Sequence, residues 1–437
     1  MTEQDLQRKT SAVCPTCLQI IPAEIVASNG AVYLQKHCAA HGRFELMVWP
    51  DVRHYNWTNS FQFPTAPPRT ATTAEEGCPR DCGPCPHHLR KPTLIEIEVT
   101  RRCNLHCPVC FMAAEKTDQG PELGALEQIF QNIRDQVGLT PGIQLTGGEP
   151  TIRRDLPEII RVGRKAGFAG IEVNTNGVVI SKDLDFLQEL QDAGLTGVYL
   201  QFDGLSPRVY RQLRGADLLQ TKLDAIENCR KVGLQIVLAM TIVDRVNRYE
   251  LGDVLRYALR NINIVTGLAL QPAFTSGRFE VGASQRLSMG DIIFELASQS
   301  SGMLSAYDFY PLGCSHPLCS CGAYLVEKGE RNFVSFSRTL TPDQYADAFD
   351  PASPQGSVLR DIAARSGGDQ GNGLSVVIMN YMDTATMQLD RLRECSMMVA
   401  TPDGRMVPFC SYHLTGSDSQ RIHSPFLRER TLAGVLQ

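Results

Sequence analysis

Between Thr93 and Met112 the chain reads TLIEIEVTRRCNLHCPVCFM, and no other stretch restricts the fold as tightly. Apolar and acidic residues alternate through Leu94, Glu96, Ile97, Glu98 and Val99, a pattern that predicts a strand. The strand breaks at Thr100 into a loop bearing Cys103, Cys107 and Cys110, spaced C-x3-C-x2-C. Thiols this close cannot bridge one another without strain, and an odd number leaves one over. They can instead hold three irons of a cubane [4Fe–4S] cluster and leave the fourth iron open to another ligand. The competing reading is a zinc knuckle, which needs a fourth protein ligand such as His106.

The rest of the chain sets the frame for that loop. Its 437 residues allow roughly two to three domains and a large core. With 43% hydrophobic and 20% charged residues it has the composition of a folded enzyme. A net charge of −5 supplies no basic field, so no nucleic-acid partner is expected. The start, MTEQDLQRKTSAVC, has neither an apolar signal core nor an Arg-rich amphipathic pattern. No window approaches the roughly eighteen apolar residues of a spanning helix; peripheral contact with a lipid surface stays open. Fifteen cysteines without an export signal point to metals in a reducing cytoplasm, not to disulfides.

Residues 1–63 read as a small metal clasp. Cys14 and Cys17 are followed by Cys38 and His41, two ligand knuckles either side of a strand-like segment (24–34) with a turn at Asn29-Gly30. This describes a zinc-ribbon or rubredoxin-like unit holding zinc or a mononuclear iron. His41 is either a ligand or a turn residue before Gly42, and ordinary packing thiols are the bland alternative. Phe44, Trp49, Tyr55 and Trp57 supply apolar bulk for a core or for docking. Residues 64–92 are a Pro- and Thr-bearing linker leading to Cys78, Cys82 and Cys85, which repeat the central spacing without a strand before them. That loop suits a cluster completed by a distant cysteine, or a structural zinc.

Residues 93–302 alternate strand and helix patterns. Strands are expected at 94–99, 142–146, 170–175, 197–202, 235–242 and 264–270, with helical apolar spacing between them. Six successive βα units predict a parallel sheet curled by right-handed crossovers, a partial (βα)6 TIM-like barrel in the α/β class, short of the eight units of a closed barrel. Ligands then belong at the C-terminal strand ends. Strand two ends in Thr146-Gly147-Gly148-Glu149-Pro150, whose glycines permit close backbone approach and whose carboxylate suits an ammonium. Strand three ends in Asn174-Thr175-Asn176-Gly177, strand four in Gln201-Phe202-Asp203-Gly204, and Gln271 closes strand six. Each taken alone is equally a turn or a satisfied strand-end polar group. Cys229 reads as a core thiol.

Residues 303–437 form a cysteine-rich C-terminal region. It holds Cys314, Cys319 and Cys321, a polar insertion at 341–373 with one short helix near 357–365, then Cys395 and Cys410. Setting aside the clasp, the central loop and Cys229 leaves eight cysteines, the number required by two four-thiolate clusters. Cys78, Cys82 and Cys85 need one more ligand, as do Cys314, Cys319 and Cys321; Cys395 and Cys410 are the donors, in either assignment.

Together these motifs resemble the radical S-adenosylmethionine superfamily over residues 93–300. Cys103, Cys107 and Cys110 match its cluster loop, Phe111 its following aromatic, and Gly147, Gly148, Glu149 and Pro150 its methionine-amine motif. The resemblance implies a [4Fe–4S] cluster that binds S-adenosylmethionine and reductively cleaves it to a 5′-deoxyadenosyl radical, which takes hydrogen from carbon. Gly147, Gly148, Glu149, Asn174, Asp203 and Phe111 are then the candidate cofactor contacts, and a one-electron reductant such as flavodoxin or ferredoxin is implied. Over nearly the whole chain, CPTC…KHCAAHG, QPAFTSGR, PLGCSHPLCSC and MDTATMQLDRLREC…PDGRMVPFCSY look like one subgroup, that of archaeal tetraether lipid synthase and the methanogen dihydropterin methyltransferase. Its members carry an N-terminal metal clasp and auxiliary clusters.

The expectation is therefore a radical enzyme, of transferase type, acting on an unactivated carbon, with C–C bond formation such as lipid chain coupling ahead of C-methylation of a pterin-like molecule. A non-catalytic iron–sulfur electron carrier is the reading from another class. Chain coupling needs a long apolar tunnel; pterin methylation needs a polar pocket with stacking aromatics.

Overall fold

The structure is a computed structural model that describes residues 6–114, 120–281, 286–329, 331–349, 358–365, 373–416 and 422. Four antiparallel strands come first, β1 (Gln7–Val13), β2 (Ile20–Ser28), β3 (Ala31–Cys38) and β4 (Gly42–Trp49), paired in sequence order. Asn29 and Gly30 take φ of 51° and 77° between β2 and β3, the left-handed pair that a tight hairpin requires. Helix α1 (Val52–Ser60) follows, its first turn capped by the Asp51 carboxylate, which accepts from His54 N at 2.8 Å. Trp49 and Tyr55 are buried, as expected of core residues, and Trp57 packs edge-on against Phe61 and Tyr310.

The barrel is built from β5 (Leu94–Thr100), the short β6 (Val109–Cys110), α2 (Leu123–Val137), β7 (Gly142–Gly147), α3 (Leu156–Ala166), β8 (Ile171–Thr175), α4 (Leu184–Asp192), β9 (Gly197–Gln201), α5 (Pro207–Arg214), α6 (Leu219–Val232), β10 (Ile236–Ile242), α7 (Leu251–Arg260), β11 (Val265–Pro272), β12 (Arg278–Phe279) and α8 (Met289–Gln299). On β5, Ile95, Ile97 and Val99 are fully buried in the main core, while Glu96 lines the barrel's interior. That split is the period-2 alternation read from the sequence. Helix α2 turns Leu126, Ile129, Phe130 and Ile133 to the same core. Cys229, on α6, is fully buried there too, as a packing thiol.

The C-terminal region adds β13 (Tyr310–Pro311), β14 (Ser320–Glu327), β15 (Phe333–Ser335), α9 (Pro342–Ala348), α10 (Val358–Arg365), β16 (Gly373–Met379), α11 (Leu389–Arg393), β17 (Met397–Ala400), β18 (Met406–Pro408) and α12 (Phe409–Tyr412). Within the expected insertion, 350–357 and 366–372 lie outside the described residues.

The six expected strands pair in parallel in the order β5-β7-β8-β9-β10-β11. The C-terminal region then widens the barrel, which the sequence reading did not foresee. β16 lies parallel beside β11 and β17 parallel beside β5, so the described residues hold eight parallel strands in a row. β14 and β18 continue antiparallel at the two ends. Tyr381 spans the seam, its Oη 3.2 Å from Met379 Sδ and 3.7 Å from Met397 Sδ. The clasp is tied to this same region. Ala12 bridges Gln388, Thr10 Oγ1 donates to Asp390 at 2.7 Å, and the buried Lys36 donates to Val13 O and Thr384 O at 3.1 and 2.9 Å. No helix among the described residues is long and apolar enough to cross a membrane.

Candidate active site

A cavity of about 580 Å³ runs inside the barrel, and Cys103, Cys107 and Cys110 line it together with Phe111. The cluster loop is framed from two sides. From β7, Gly148 N donates to Thr100 O at 2.7 Å and Glu149 N to Arg102 O at 2.9 Å. A Cβ on Gly147 would stand 1.9 Å from Thr100 O, and one on Gly148 2.2 Å from Arg102 O, so only glycine allows this approach. On the other side β12 pairs with β6, placing Arg278 opposite Cys110, and the Arg278 guanidinium donates to Cys107 O at 3.1 Å and Ala114 O at 3.0 Å. The QPAFTSGR stretch is thus a clamp on the loop. Phe111 packs against Phe274, Phe409 and His413.

The loop's thiols fit three corners of a cubane better than a zinc. His106 is exposed, and among the described residues the one His/Cys/Asp/Glu group drawn to single-ion spacing is the clasp. Burial pushes Cys103 up to about 12 and raises Cys107 too, although the Arg214 charge pulls Cys107 back. Ionised thiolates here therefore depend on a metal to displace their protons.

The strand tips divide differently from the expectation. Glu149 is 1% exposed. Its Oε1 accepts from Thr151 N, Thr151 Oγ1 and Thr175 Oγ1 at 3.1, 2.6 and 2.7 Å, and its Oε2 from Asn176 N at 2.7 Å. The carboxylate chiefly braces the β7 loop against the end of β8, with room for one more donor at Oε2. Asn176 reaches the cluster loop, its Nδ2 2.8 Å from Asn104 Oδ1. Asn174 instead faces down the lumen, where Nδ2 donates to Gln144 Oε1 at 3.3 Å.

Asp203, a candidate cofactor contact, is committed to protein partners. It is fully buried, and its oxygens accept from Arg214 Nε and Nη2, both at 2.7 Å, from Thr241 N at 3.1 Å and from the Gln201 amide. Arg214 is the residue that lines the cavity beside the cysteines. Lys222, also fully buried, donates to Asn176 O and to Gln201 Oε1, and burial lowers it to about 8. Neither cation was found from the sequence: Arg214 closes α5 and Lys222 lies in the first turn of α6, and neither belongs to a motif. Gln271 donates to Tyr199 Oη at 2.8 Å across the lumen.

In the clasp the metal-binding atoms of Cys14, Cys17, Cys38 and His41 all lie within 4.8 Å of one another. His41 Nδ1 is 3.7 Å from Cys14 Sγ and 3.5 Å from Cys38 Sγ, and Cys17 Sγ is 3.9 Å from Cys38 Sγ. A tetrahedral zinc with bonds of about 2.3 Å to sulfur and 2.0 Å to nitrogen has edges of roughly 3.5–3.8 Å, so the four groups, His41 included, stand at a spacing that could hold one ion. Burial works against ionising Cys14, but the amides of Cys17 and Thr16 outweigh it and bring the thiol to about 6.

Of the remaining thiols, four pack together. Cys78, Cys82, Cys395 and Cys410 share one packed group, and Cys82 is close enough to raise its own pKa against Cys78 and Cys85. Cys395 and Cys410 both also feel Cys319. Cys395 and Cys410 thus lie near both Cys82 and Cys319. Cys314 is buried near Thr93 and Ser396. Cys321 pairs with Ile378 and lies in the main core, where burial alone raises its thiol.

The chain matches the family model of the Radical SAM superfamily over residues 97–258 and that of the HMPTM N-terminal zinc ribbon domain over residues 6–50. It is 31% identical to the 7,8-dihydro-6-hydroxymethylpterin dimethyltransferase of Methanocaldococcus jannaschii, over 93% of this chain and 94% of that protein. It is 32% identical to a probable GTP 3′,8-cyclase of Sulfolobus acidocaldarius, over 41% of this chain and 56% of that protein. Among solved structures, Streptococcus suis SuiB bound to precursor peptide SuiA aligns with a TM-score of 0.41 at 16% identity, covering 49% of this chain and 47% of that one.

Proposed function

The chain belongs to the radical S-adenosylmethionine superfamily, and from that premise we propose that it C-methylates a pterin-like heterocycle. The observation that carries this reading is the lumen below the cluster loop. Glu96, Gln144, Glu172, Asn174, Tyr199, Gln201 and Gln271 face it from successive strands, with Phe274, Tyr381 and Phe409 around them. Apolar and aromatic walls carrying a few convergent polar groups suit a fused heterocycle. An alkyl chain there would leave Glu96 Oε2 and Asn174 Oδ1, both buried without a partner, dry and unpaired. The preference for lipid coupling drawn from the sequence therefore gives way to its alternative. Likeness to a pterin dimethyltransferase along nearly the whole chain supports the same choice.

A [4Fe–4S] cluster on Cys103, Cys107 and Cys110, with S-adenosylmethionine bound, supplies the 5′-deoxyadenosyl radical that removes a hydrogen atom from carbon. The residues around it orient and shield. Arg214, held by Asp203, offers a fixed cation to the cofactor's carboxylate. The Gly147-Gly148 turn and the open edge of Glu149 receive its ammonium, and Asn176 fixes the loop. Tyr381, Phe274, Phe409 and Phe111 close the space against water, which a carbon radical requires. Cys78, Cys82, Cys85, Cys314, Cys319, Cys321, Cys395 and Cys410 serve two auxiliary clusters, and the electron comes from a flavodoxin- or ferredoxin-type reductant.

The test is anaerobic reconstitution with dithionite, S-adenosylmethionine, a methylene-folate-type compound as one-carbon donor and a 7,8-dihydropterin deuterated at its ring carbons. Deuterium in 5′-deoxyadenosine and a methylated pterin are the expected products. Cofactor cleavage without deuterium transfer from any dihydropterin would exclude the substrate class.

A further inference from the structure

We propose that the row Glu96–Gln144–Glu172 is the anchoring subsite for the substrate, and that it takes the N–H-rich edge of a 2-amino-4-oxopyrimidine ring. The inference rests on the reading above and adds which end of the heterocycle goes deepest and what holds it.

The three side chains are true neighbours. In the β5–β7 register Glu96 stands opposite Gln144, and in the β7–β8 register Gln144 stands opposite Glu172. All three line the cavity. The central amide is locked from both sides: Asn174 Nδ2 donates to Gln144 Oε1, and Gln144 Nε2 donates to Glu172 Oε2 at 3.1 Å. Glu96 has no such neighbour. It is 3% exposed, and its Oε2 is buried with no hydrogen-bond partner. Asn174 Oδ1 is left in the same condition one step up the lumen. Burial, reinforced by Glu98, pushes Glu96 up to about 8, and burial raises Glu172 as well. Tyr199 and Tyr381 complete the surroundings, their phenols raised by burial and by the charges of these same carboxylates.

A buried acceptor without a partner costs about 1–3 kcal/mol and does nothing for the barrel. It makes sense as half of an interaction. When the Glu96 carboxyl gives up its proton on binding, its two oxygens match two adjacent N–H groups, the ring N–H and the exocyclic amine of a cyclic guanidine, in a bidentate pair. The amide of Gln144 and the second carboxylate of Glu172 lie alongside for the rest of the ring edge. The height fits too. Glu96 lies four residues below Thr100 on β5, about 13 Å at about 3.3 Å per residue. A bicyclic ring anchored at that depth extends upward into the space beneath Cys103, where hydrogen is removed.

The edge is common to pterins and to guanine, so both are assayed. The reconstituted holoenzyme with S-adenosylmethionine is titrated with 6-hydroxymethyl-7,8-dihydropterin, with its lumazine analogue, in which the 2-amino group is replaced by oxygen, and with GTP. Wild type should bind the pterin roughly 100-fold tighter than the lumazine, since the lumazine keeps the ring N–H but loses the exocyclic donor and turns a carbonyl oxygen towards the buried carboxylate. In Glu96→Gln that ratio should fall to within about threefold, while a merely structural role would weaken both ligands alike. Equal binding of pterin and lumazine by wild type, which needs no variant at all, overturns the proposal. Turnover of the pterin with an unchanged KM in Glu96→Gln also overturns it while leaving the methylation reading intact. Glu96-dependent binding of GTP with none of pterin keeps the subsite and sinks the pterin reading.

Discussion

The Arg214 guanidinium and the Asp203 carboxylate form a two-pronged ion pair, 2.7 Å at each contact, with the Asp203 side chain fully buried and that of Arg214 8% exposed. The remaining prong of Arg214 donates to Val109 O at 2.9 Å, on the strand that ends at Cys110. One cation therefore joins the fourth βα unit to the cluster loop. Asp203→Asn should cost roughly 3–5 kcal/mol, because the arginine loses its counter-charge in a dry site. Arg214→Lys keeps the charge but loses the fork, and S-adenosylmethionine affinity should fall about 10- to 100-fold. Anaerobic binding titrations check this; wild-type affinity in Arg214→Lys would remove Arg214 from the cofactor site.

Gly148→Ala should uncouple the β7 turn from the cluster loop. The added methyl would stand 2.2 Å from Arg102 O and 2.6 Å from Arg101 O, backbone atoms with nowhere to go. A cost of about 2 kcal/mol or more is expected from overpacking, together with loss of cofactor cleavage while zinc content stays unchanged. Metal analysis and 5′-deoxyadenosine yield report the two effects separately.

Metal content tests the proposed assignment of the cysteines. One zinc and about twelve irons per chain are expected for three cubanes. Cys103→Ala should lower iron by about four and abolish cleavage with the zinc retained. Cys395→Ala and Cys410→Ala should each lower iron without touching the zinc. His41→Ala should release the zinc and loosen the clasp from α11, seen as faster proteolysis near Lys36. About eight irons in the wild type would leave one auxiliary cluster, and Cys321, packed in the main core, would be the first ligand to strike out.

The Glu96 carboxyl should make stability depend on pH. Burial, with Glu98 adding repulsion, moves it from the ordinary 4.5 to about 8 in the folded state. Between those values the folded chain keeps a proton that the unfolded chain has released. Stability therefore falls as pH rises through that window, by at most about 1.4 kcal/mol per unit. Glu96→Gln cannot ionise, so its advantage in Tm over wild type should be larger at pH 8 than at pH 5. An advantage independent of pH would mean that Glu96 is ionised in the folded state throughout.

Much of this protein is written locally in its sequence. The C-x3-C-x2-C loop, the Gly147-Gly148 turn, the Cys14–His41 knuckles and the six βα periods each occupy a few consecutive residues, because loop geometry and strand alternation are short-range properties. The closing strands were less legible. Met397–Ala400 is four residues long and Gly373–Met379 follows a polar insertion, and neither carries a period strong enough to stand out.

What only the tertiary structure decided is which side chains meet. Glu96, Gln144 and Glu172 come from three strands, and their row exists only because sheet register sets them abreast. The same holds for Asp203, a strand-tip carboxylate in the sequence that folding turns into the seat of Arg214. A spacing pattern fixes where a metal can sit. The identity of the substrate depends on lumen-facing residues dispersed along the whole barrel, and hydrogen bonding across the sheet, not chain order, brings those together.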